Sequence, residues 1–395
     1  MPTSGVHLAM EALGIKHGGG ATVLKDLLVE ALSAPRFSKV SVFCSPRSVR
    51  TFEFPVSPLL NEIEVPQAEF SRFSRLWWLE RRMEAHLRSI DANVLLCLGG
   101  AGRSSQIPCL TFIQQSLPFC PEALALLSRP ARWRIRAISG LMRRSCQASA
   151  AVLVQTETMR KAVLTAFGIE PGRVHAFRPS VHLPERCAVL SDGLAAMRKS
   201  RPGFRLLYVG SQSKYKNVKT LLAAVRKVRK QFADVTLFLT WPTDHPVHGR
   251  DGIMCLGYLQ AGALTEAYQL ADLVVMPSLV ETVGLPMLEA MSMGTPVLAA
   301  DRPYARELCE DAAVFFDPLD VDDLVNRISG LLADNTLRAE MALRSSVLIE
   351  RYLTFRPYRK MLDAVIETTG AGKNPAVPRS SRNDYEVPDG SYDRQ

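Results

Sequence analysis

The chain has 395 residues, 47% of them hydrophobic, with a formal net charge of +9. That length can bury one large core or two ordinary ones, and two domains are the better expectation. Residues 1–200 hold 25 Lys and Arg against 15 Asp and Glu while the rest is close to neutral. One half therefore faces something anionic, which leaves nucleic acid, phosphorylated substrates and an acidic membrane surface open.

The N-terminus, MPTSGVHLAMEALGIKHGGG, has no basic region followed by a long apolar core. No signal peptide is expected there, and a cytoplasmic protein follows. Mean hydropathy is near zero, and no apolar run approaches the roughly 20 residues that a membrane-spanning helix needs.

Short apolar runs then alternate with longer helix-like segments. In the first half the predicted strands are VHLAMEA (6–12), KVSVFCS (39–45), NVLLCLG (93–99), CLTFIQ (109–114), AAVLVQ (150–155) and RVHAFRP (173–179). A polar, proline-containing stretch over about 184–203 separates them from FRLLYVG (204–210), VTLFLTW (235–241), IMCLGY (253–258), LVVMPS (273–278), TPVLAA (295–300) and AVFFD (313–317). Continuous apolar strands alternating with helices indicate parallel sheets covered on both faces. The predicted fold class is therefore α/β, with two Rossmann-like doubly wound domains facing across a cleft.

The expected boundaries are 1–187 for the first domain and 200–352 for the second. A helix over 353–370 is expected to cross back to the first domain. The last 25 residues, AGKNPAVPRSSRNDYEVPDGSYDRQ, are polar with three prolines and are read as a disordered tail. The cysteines at 44, 97, 109, 120, 146, 187, 255 and 309 form no C-x-x-C pair, so reduced, mostly buried thiols are expected.

The most informative stretch is ETVGLPMLEAM (281–291), between LVVMPS and SMGTPVLAAD. Pro286 suits the first turn of a helix, where its missing N–H would be an orphan anyway. The amides of Gly284 and Leu285 then lie at a helix N-terminus, where free N–H groups and partial positive charge favour phosphate or carboxylate. Glu289 is one turn inside, and Glu281 stands in the loop after the strand. Taken singly, each glutamate reads as a capping or solvated acid; taken together, they bracket an anion site.

The segment DLVVMPSLVETVGLPMLEAMSMGTPVLAAD (272–301) closely resembles the signature of glycosyltransferase family 4, the large retaining family of GT-B fold. Its hallmark E-x7-E is matched by Glu281 and Glu289. The resemblance implies that Glu289 binds the ribose hydroxyls of a nucleotide-sugar donor and that Glu281 lies near the donor sugar. It also implies that the backbone of Thr282, Val283, Gly284 and Leu285 meets sugar and phosphate.

LLYVGSQSKYKNVKTLLAAV (206–225) is similar to the first strand and loop of the family's C-terminal domain. There the family carries an arginine and, five positions later, a lysine that bind the diphosphate. Lys216 matches the lysine, and Ser211 stands where the arginine would be. Lys214, or a basic residue of the other domain, is a candidate substitute.

On the acceptor side, GIKHGGGATVLKDLL (14–28) resembles the family's N-terminal glycine-rich loop, here Gly18, Gly19 and Gly20. A bare triple glycine lacks the G-x-G-x-x-G spacing of a dinucleotide fingerprint. His17 is either a loop residue or an acceptor contact. LTFIQQSLPF (110–119) places Gln114 and Gln115 where relatives often carry His or Asn, and loop polarity explains them equally well.

Asp320-Val-Asp322 is a literal D-x-D, yet it opens an amphipathic helical pattern and reads as N-cap and first-turn acids. No metal and no cofactor are expected. RFSRLWWLERRMEAHLRSI (72–90) spaces Phe73, Leu76, Trp77, Met83, Leu87 and Ile90 helically among arginines, and RPARWRIRAISGLMRR (129–144) is of the same kind. Both read either as core-packing helices or as a surface resting on anionic lipid. No nucleic-acid motif accompanies the basic half.

The expected partners are thus a nucleotide-sugar donor and a saccharide or lipid-linked acceptor, with a peripheral place on the inner face of the membrane left open. Two other functions stay open: a GT-B epimerase or hydrolase, and a non-catalytic nucleotide-sugar-binding protein.

Overall fold

The computed structural model describes residues 5–15, 19–181, 192–200, 203–353 and 357–370. Among them thirteen strands form two parallel sheets. The first holds β1 (Val6–Glu11), β2 (Phe37–Cys44), β3 (Leu60–Glu64), β4 (Val94–Cys97), β5 (Cys109–Phe112), β6 (Ala151–Val154) and β7 (Val174–Ala176), in the order β3-β2-β1-β4-β5-β6-β7. The second holds β8 (Arg205–Tyr208), β9 (Thr236–Leu239), β10 (Ile253–Cys255), β11 (Leu273–Met276), β12 (Val297–Ala300) and β13 (Ala313–Phe316), in the order β10-β9-β8-β11-β12-β13.

Each sheet reverses its winding direction once, between β1 and β4 and between β8 and β11. At such switch points the loops leave in opposite directions and open a crevice beyond the carboxyl ends of the strands. The strands β4, β6 and β11 are buried along their whole length, which is why each appears in the sequence as an unbroken apolar run; β5 and β8 are equally buried but include Thr111 and Arg205.

One strand was not anticipated. β3, LNEIE, lies at the edge of the first sheet, pairs only with β2, and is half exposed. Its acids face water on a free edge, so it carries no apolar run.

The helical stretch over 72–90 is broken at Arg82 into Arg72–Arg81 and Met83–Ser89. The inward tryptophan is Trp78, packed with Phe43, Met83 and Leu87, whereas Trp77 is 52% exposed. The expected stripe was therefore off by one position at its tryptophan. The stretch expected to separate the domains also contributes structure: the helix Asp192–Lys199 buries Leu194 and Met197 in the core of the second sheet.

The helix Pro357–Thr368 packs against the helix Gly19–Ser33, with Tyr358, Met361, Leu362, Val365 and Ile366 entering the core of the first sheet beside Leu27 and Leu110. The second sheet thus lies between two pieces of chain that serve the first. His17, Gly18, Cys187 and the tail 371–395 lie outside the described residues. The seven described cysteines are free and, Cys120 apart, buried.

Candidate functional site

Two loops meet at the β8–β11 switch point. After β8 the chain turns at Gly210 (φ 155°), and the turn is held from beneath by aromatic donors. The Tyr208 hydroxyl donates to the Ser211 carbonyl (2.9 Å) and Trp241 Nε1 donates to the Gly210 carbonyl (2.9 Å). The Leu279 amide, just after β11, donates to the Tyr215 carbonyl (2.9 Å) and ties the two loops together.

Lys216 ends a short 3-10 turn, Lys214–Lys216. Its Nζ lies 2.5 Å from Glu281 Oε1, and the two side chains are 18% and 13% exposed. Ser211 is exposed and hydrogen-bonds through its hydroxyl to Ser213 (3.0 Å). Lys214 is also exposed.

The helix Leu285–Ser292 starts at Gly284, whose φ of 84° is left-handed. A side chain there would be strained, and its Cβ would fall 2.7 Å from Met287 Cε. Pro286 sits in the first turn, as its fixed φ favours. The helix N-terminus therefore opens toward the loop with its first amides uncapped by any side chain. Glu281 folds back beside it, its Cγ 3.6 Å from the place a Gly284 Cβ would take. Val283 is buried in the core, so only its backbone faces the loop.

Glu289 is half-buried and accepts from the Tyr268 hydroxyl at Oε2 (2.6 Å). Burial pushes its carboxyl above the usual carboxylate range, and the Tyr268 bond works against that rise. Tyr304 closes the underside, donating to the Ser278 carbonyl (2.8 Å).

The first sheet supplies the opposite wall. A Cβ on Gly19 would lie 3.9 Å from Leu285 Cδ1, and one on Gly20 would lie 3.6 Å from Gln114 Oε1. Gln114 also donates to the Leu98 carbonyl (3.4 Å). The glycine-rich helix start, Gln114 and the Leu285 helix end are thus brought together. Gln115 is exposed.

Several contacts in and between the two walls escaped sequence reasoning. Glu11 ends β1 fully buried, accepting from the Leu13 amide (3.0 Å) and the Gly99 amide (2.9 Å). Burial raises its carboxyl, opposed by the Gly99 amide, the Arg75 charge and the Leu13 amide. A Cβ on Gly99 would meet Glu11 Oε2 at 2.7 Å, so glycine is needed there. The available signal was an acid inside an otherwise apolar strand.

Glu307 reaches from the second sheet's side to the N-terminus of the helix Glu157–Phe167, accepting from the amides of Glu157 (2.6 Å) and Thr158 (2.7 Å). The N-cap residue of that helix, Thr156, donates to the carbonyl of Thr282 (3.2 Å). Arg302 pairs with Glu122 (2.9 Å) across the same divide. Finally, Asp320 accepts from the amides of Asp322 and Asp323, the N-cap expected of it.

Residues 203–334 match the family described as glycosyl transferases group 1. The O-antigen chain mannosyltransferase B of Escherichia coli is 27% identical over 242 residues, which are 58% of this chain and 62% of that protein. The α-D-kanosaminyltransferase of Streptomyces kanamyceticus is 24% identical over 373 residues, 85% of this chain and 92% of that one. Among solved structures, the sucrose-phosphate synthase of Thermosynechococcus elongatus superposes with a TM-score of 0.73 at 18% identity, covering 93% of this chain and 99% of its own.

The architecture is GT-B. In this GT-B chain, the group 1 match covers the second sheet and the whole Lys216–Glu281–Glu289 constellation. The kanosaminyltransferase alignment extends the likeness over most of the first sheet as well.

Proposed function

We propose that the protein is a retaining glycosyltransferase of family 4, moving a sugar from a nucleoside-diphosphate sugar to a saccharide or lipid-linked acceptor in cell-surface polysaccharide or glycolipid synthesis. The observation that carries this reading is the convergence at the β8–β11 switch point. Uncapped helix amides at Gly284 and Leu285 stand beside Lys216, with Glu281 at one end and Glu289 one turn away.

That arrangement suits a donor laid along the loop. The diphosphate takes the helix end and Lys216, the ribose hydroxyls take Glu289, and the sugar hydroxyls take Glu281. No protein nucleophile is required. A diphosphate oxygen leaving on the acceptor's face helps deprotonate it, and the protein supplies positioning and charge stabilisation. Gly19, Gly20 and Gln114 line the acceptor side of the same cleft.

The helix Arg129–Ala148 supports a peripheral place on an anionic bilayer. It carries six arginines and no acid, and Trp133 is 72% exposed on it. Arg82 stacks over the exposed Trp77 ring (5.7 Å), giving a second basic aromatic site.

The test is a calorimetric screen of UDP-, GDP- and ADP-sugars, followed by transfer to a lipid and oligosaccharide extract and NMR of the product anomer. Binding of one sugar class and transfer with the donor's anomeric configuration is the expected result. Binding of none overturns the donor site, and an inverted product overturns retention.

A further inference from the structure

Tyr268 lies on the helix Ala261–Leu270, which packs against the helix bearing Glu289. It is fully buried, and its backbone is anchored where Thr295 Oγ1 donates to its carbonyl (2.7 Å). Its hydroxyl meets Glu289 Oε2 at 2.6 Å. Among the described residues no group donates to the other oxygen, Oε1, which is left as the free acceptor of the pair.

We propose that Tyr268 is a positioning residue for nucleotide recognition: its hydroxyl fixes the rotation of the Glu289 carboxylate, so that Oε1 meets the ribose. This rests on the donor-site reading above and assigns a role to a residue on the helix next to the one bearing Glu289. A half-buried carboxylate without such a partner would rotate and would take up a proton more readily, because burial disfavours its charge while a donated hydrogen bond favours it. Support from a rigid second layer is what keeps a recognition group in register.

The environment isolates this pair. Tyr268 is the titratable group acting on Glu289, and Glu289 the one acting on Tyr268. Tyr304, on the next helix, responds instead to Glu281, Cys309, Arg302 and Tyr208. Glu266, on the Tyr268 helix, pairs with Arg198, and on the Asn335–Leu353 helix Arg344 pairs with Glu340 and Arg351 with Glu310. Burial lifts the Tyr268 hydroxyl well above its usual range, so it remains a donor through mildly alkaline pH.

Ionised Glu289 accepts from the ribose hydroxyls more strongly than the neutral acid does, so affinity falls as pH drops through its raised range. Losing the Tyr268 bond raises that range further, and the fall begins at higher pH.

Calorimetry with UDP, GDP and ADP, carrying forward the tightest, is run at pH 6, 7 and 8.5 on wild type, Tyr268→Phe and Glu289→Gln. Dividing by wild type at each pH cancels the titration of the nucleotide. Tyr268→Phe keeps the ring and the packing, and an unchanged Tm checks the fold. It is expected to lose about tenfold or more in affinity at pH 6, the effect of one hydrogen bond to a charged group, and much less at pH 8.5. A ratio that equals one, or that stays constant across the three values, overturns the positioning role and leaves the donor site standing. If Glu289→Gln binds every nucleotide like wild type, or none binds wild type, it is the donor-site reading that falls.

Discussion

Lys216 and Glu281 form an ion pair across the β8–β11 switch point, Nζ to Oε1 at 2.5 Å, largely out of water. In this pair, the cation proposed for the diphosphate and the acid proposed for the sugar neutralise each other. On the proposed placement, a donor would divide them, offering phosphate to one and hydroxyls to the other. The pair keeps both half-buried charges compensated, where an unpartnered one would be costly.

The division has a measurable consequence. Lys216→Ala and Glu289→Ala should each weaken binding of the free nucleoside diphosphate by about 1.5–3 kcal/mol, the worth of a hydrogen bond to a charged group. Glu281→Ala should leave that affinity equal or improved, since it frees Lys216, while turnover with the full donor falls. Calorimetry with the diphosphate and initial rates with the donor separate the two. Equal loss of diphosphate affinity in Glu281→Ala and Lys216→Ala would show that the roles are not divided this way.

Donor use should need no divalent metal, because Lys216 and the Leu285 helix end take the counter-ion's place and Asp320 is engaged as a helix cap. Transfer should survive EDTA. Abolition by EDTA with recovery on adding Mn²⁺ would refute this account of the diphosphate.

The clasp between the two walls makes a third prediction. Glu307 takes two amides of the Glu157–Phe167 helix with its two oxygens, and Thr156 from the same turn holds the Thr282 carbonyl next to Glu281. Glu307→Gln keeps the size but sets an NH2 group against one of those amides. Each lost bond from a helix N-terminus to a carboxylate costs about 1.5–3 kcal/mol, so the cleft should open. The radius of gyration by solution scattering should rise and kcat should fall, with diphosphate affinity, which the proposal assigns to Lys216 and the Leu285 helix end, little changed. Identical scattering and kcat would remove the clasp from the mechanism.

How far these features could be read from the sequence depended on how local they are. Gly284, Pro286 and Glu289 were legible because turn, helix start and helix face are set by a few neighbouring residues, and the buried strands were legible because both of their faces are apolar. β3 was not, since an edge strand with Asn61, Glu62 and Glu64 resembles a loop. Trp77 and Trp78 are adjacent, and which one turns inward is decided by Phe43 and Met83, far away in the chain. Glu307 and Thr158 lie 149 positions apart, and nothing periodic records such a contact. Glu11 was hidden for a related reason: one of its two donors, the Gly99 amide, comes from a loop 88 residues away.

The last prediction concerns the place of the missing arginine. Ser211 is exposed, its carbonyl already receives the Tyr208 hydroxyl, and its own hydroxyl turns to Ser213. A substituted side chain there extends from a loop whose backbone is held by Tyr208 and Trp241, so the fold should tolerate it. A diphosphate carries more charge than Lys216 and one helix end offset, and Lys214, exposed at the start of the same 3-10 turn, is the nearest further cation in the chain. Lys214→Ala should therefore weaken diphosphate binding about tenfold at low ionic strength, with a smaller effect in high salt as screening grows. Ser211→Arg in that background should restore the loss, because a guanidinium adds a forked donor where relatives of this type place one. Ser211→Arg alone should change affinity less than it does in the Lys214→Ala background, since both cations would then compete for one anion. Titration of wild type, the two single variants and the double variant decides the matter. If Lys214→Ala binds as tightly as wild type, Lys214 does not stand in for the arginine. If the double variant stays as weak as Lys214→Ala, the space beside Ser211 does not reach the phosphates.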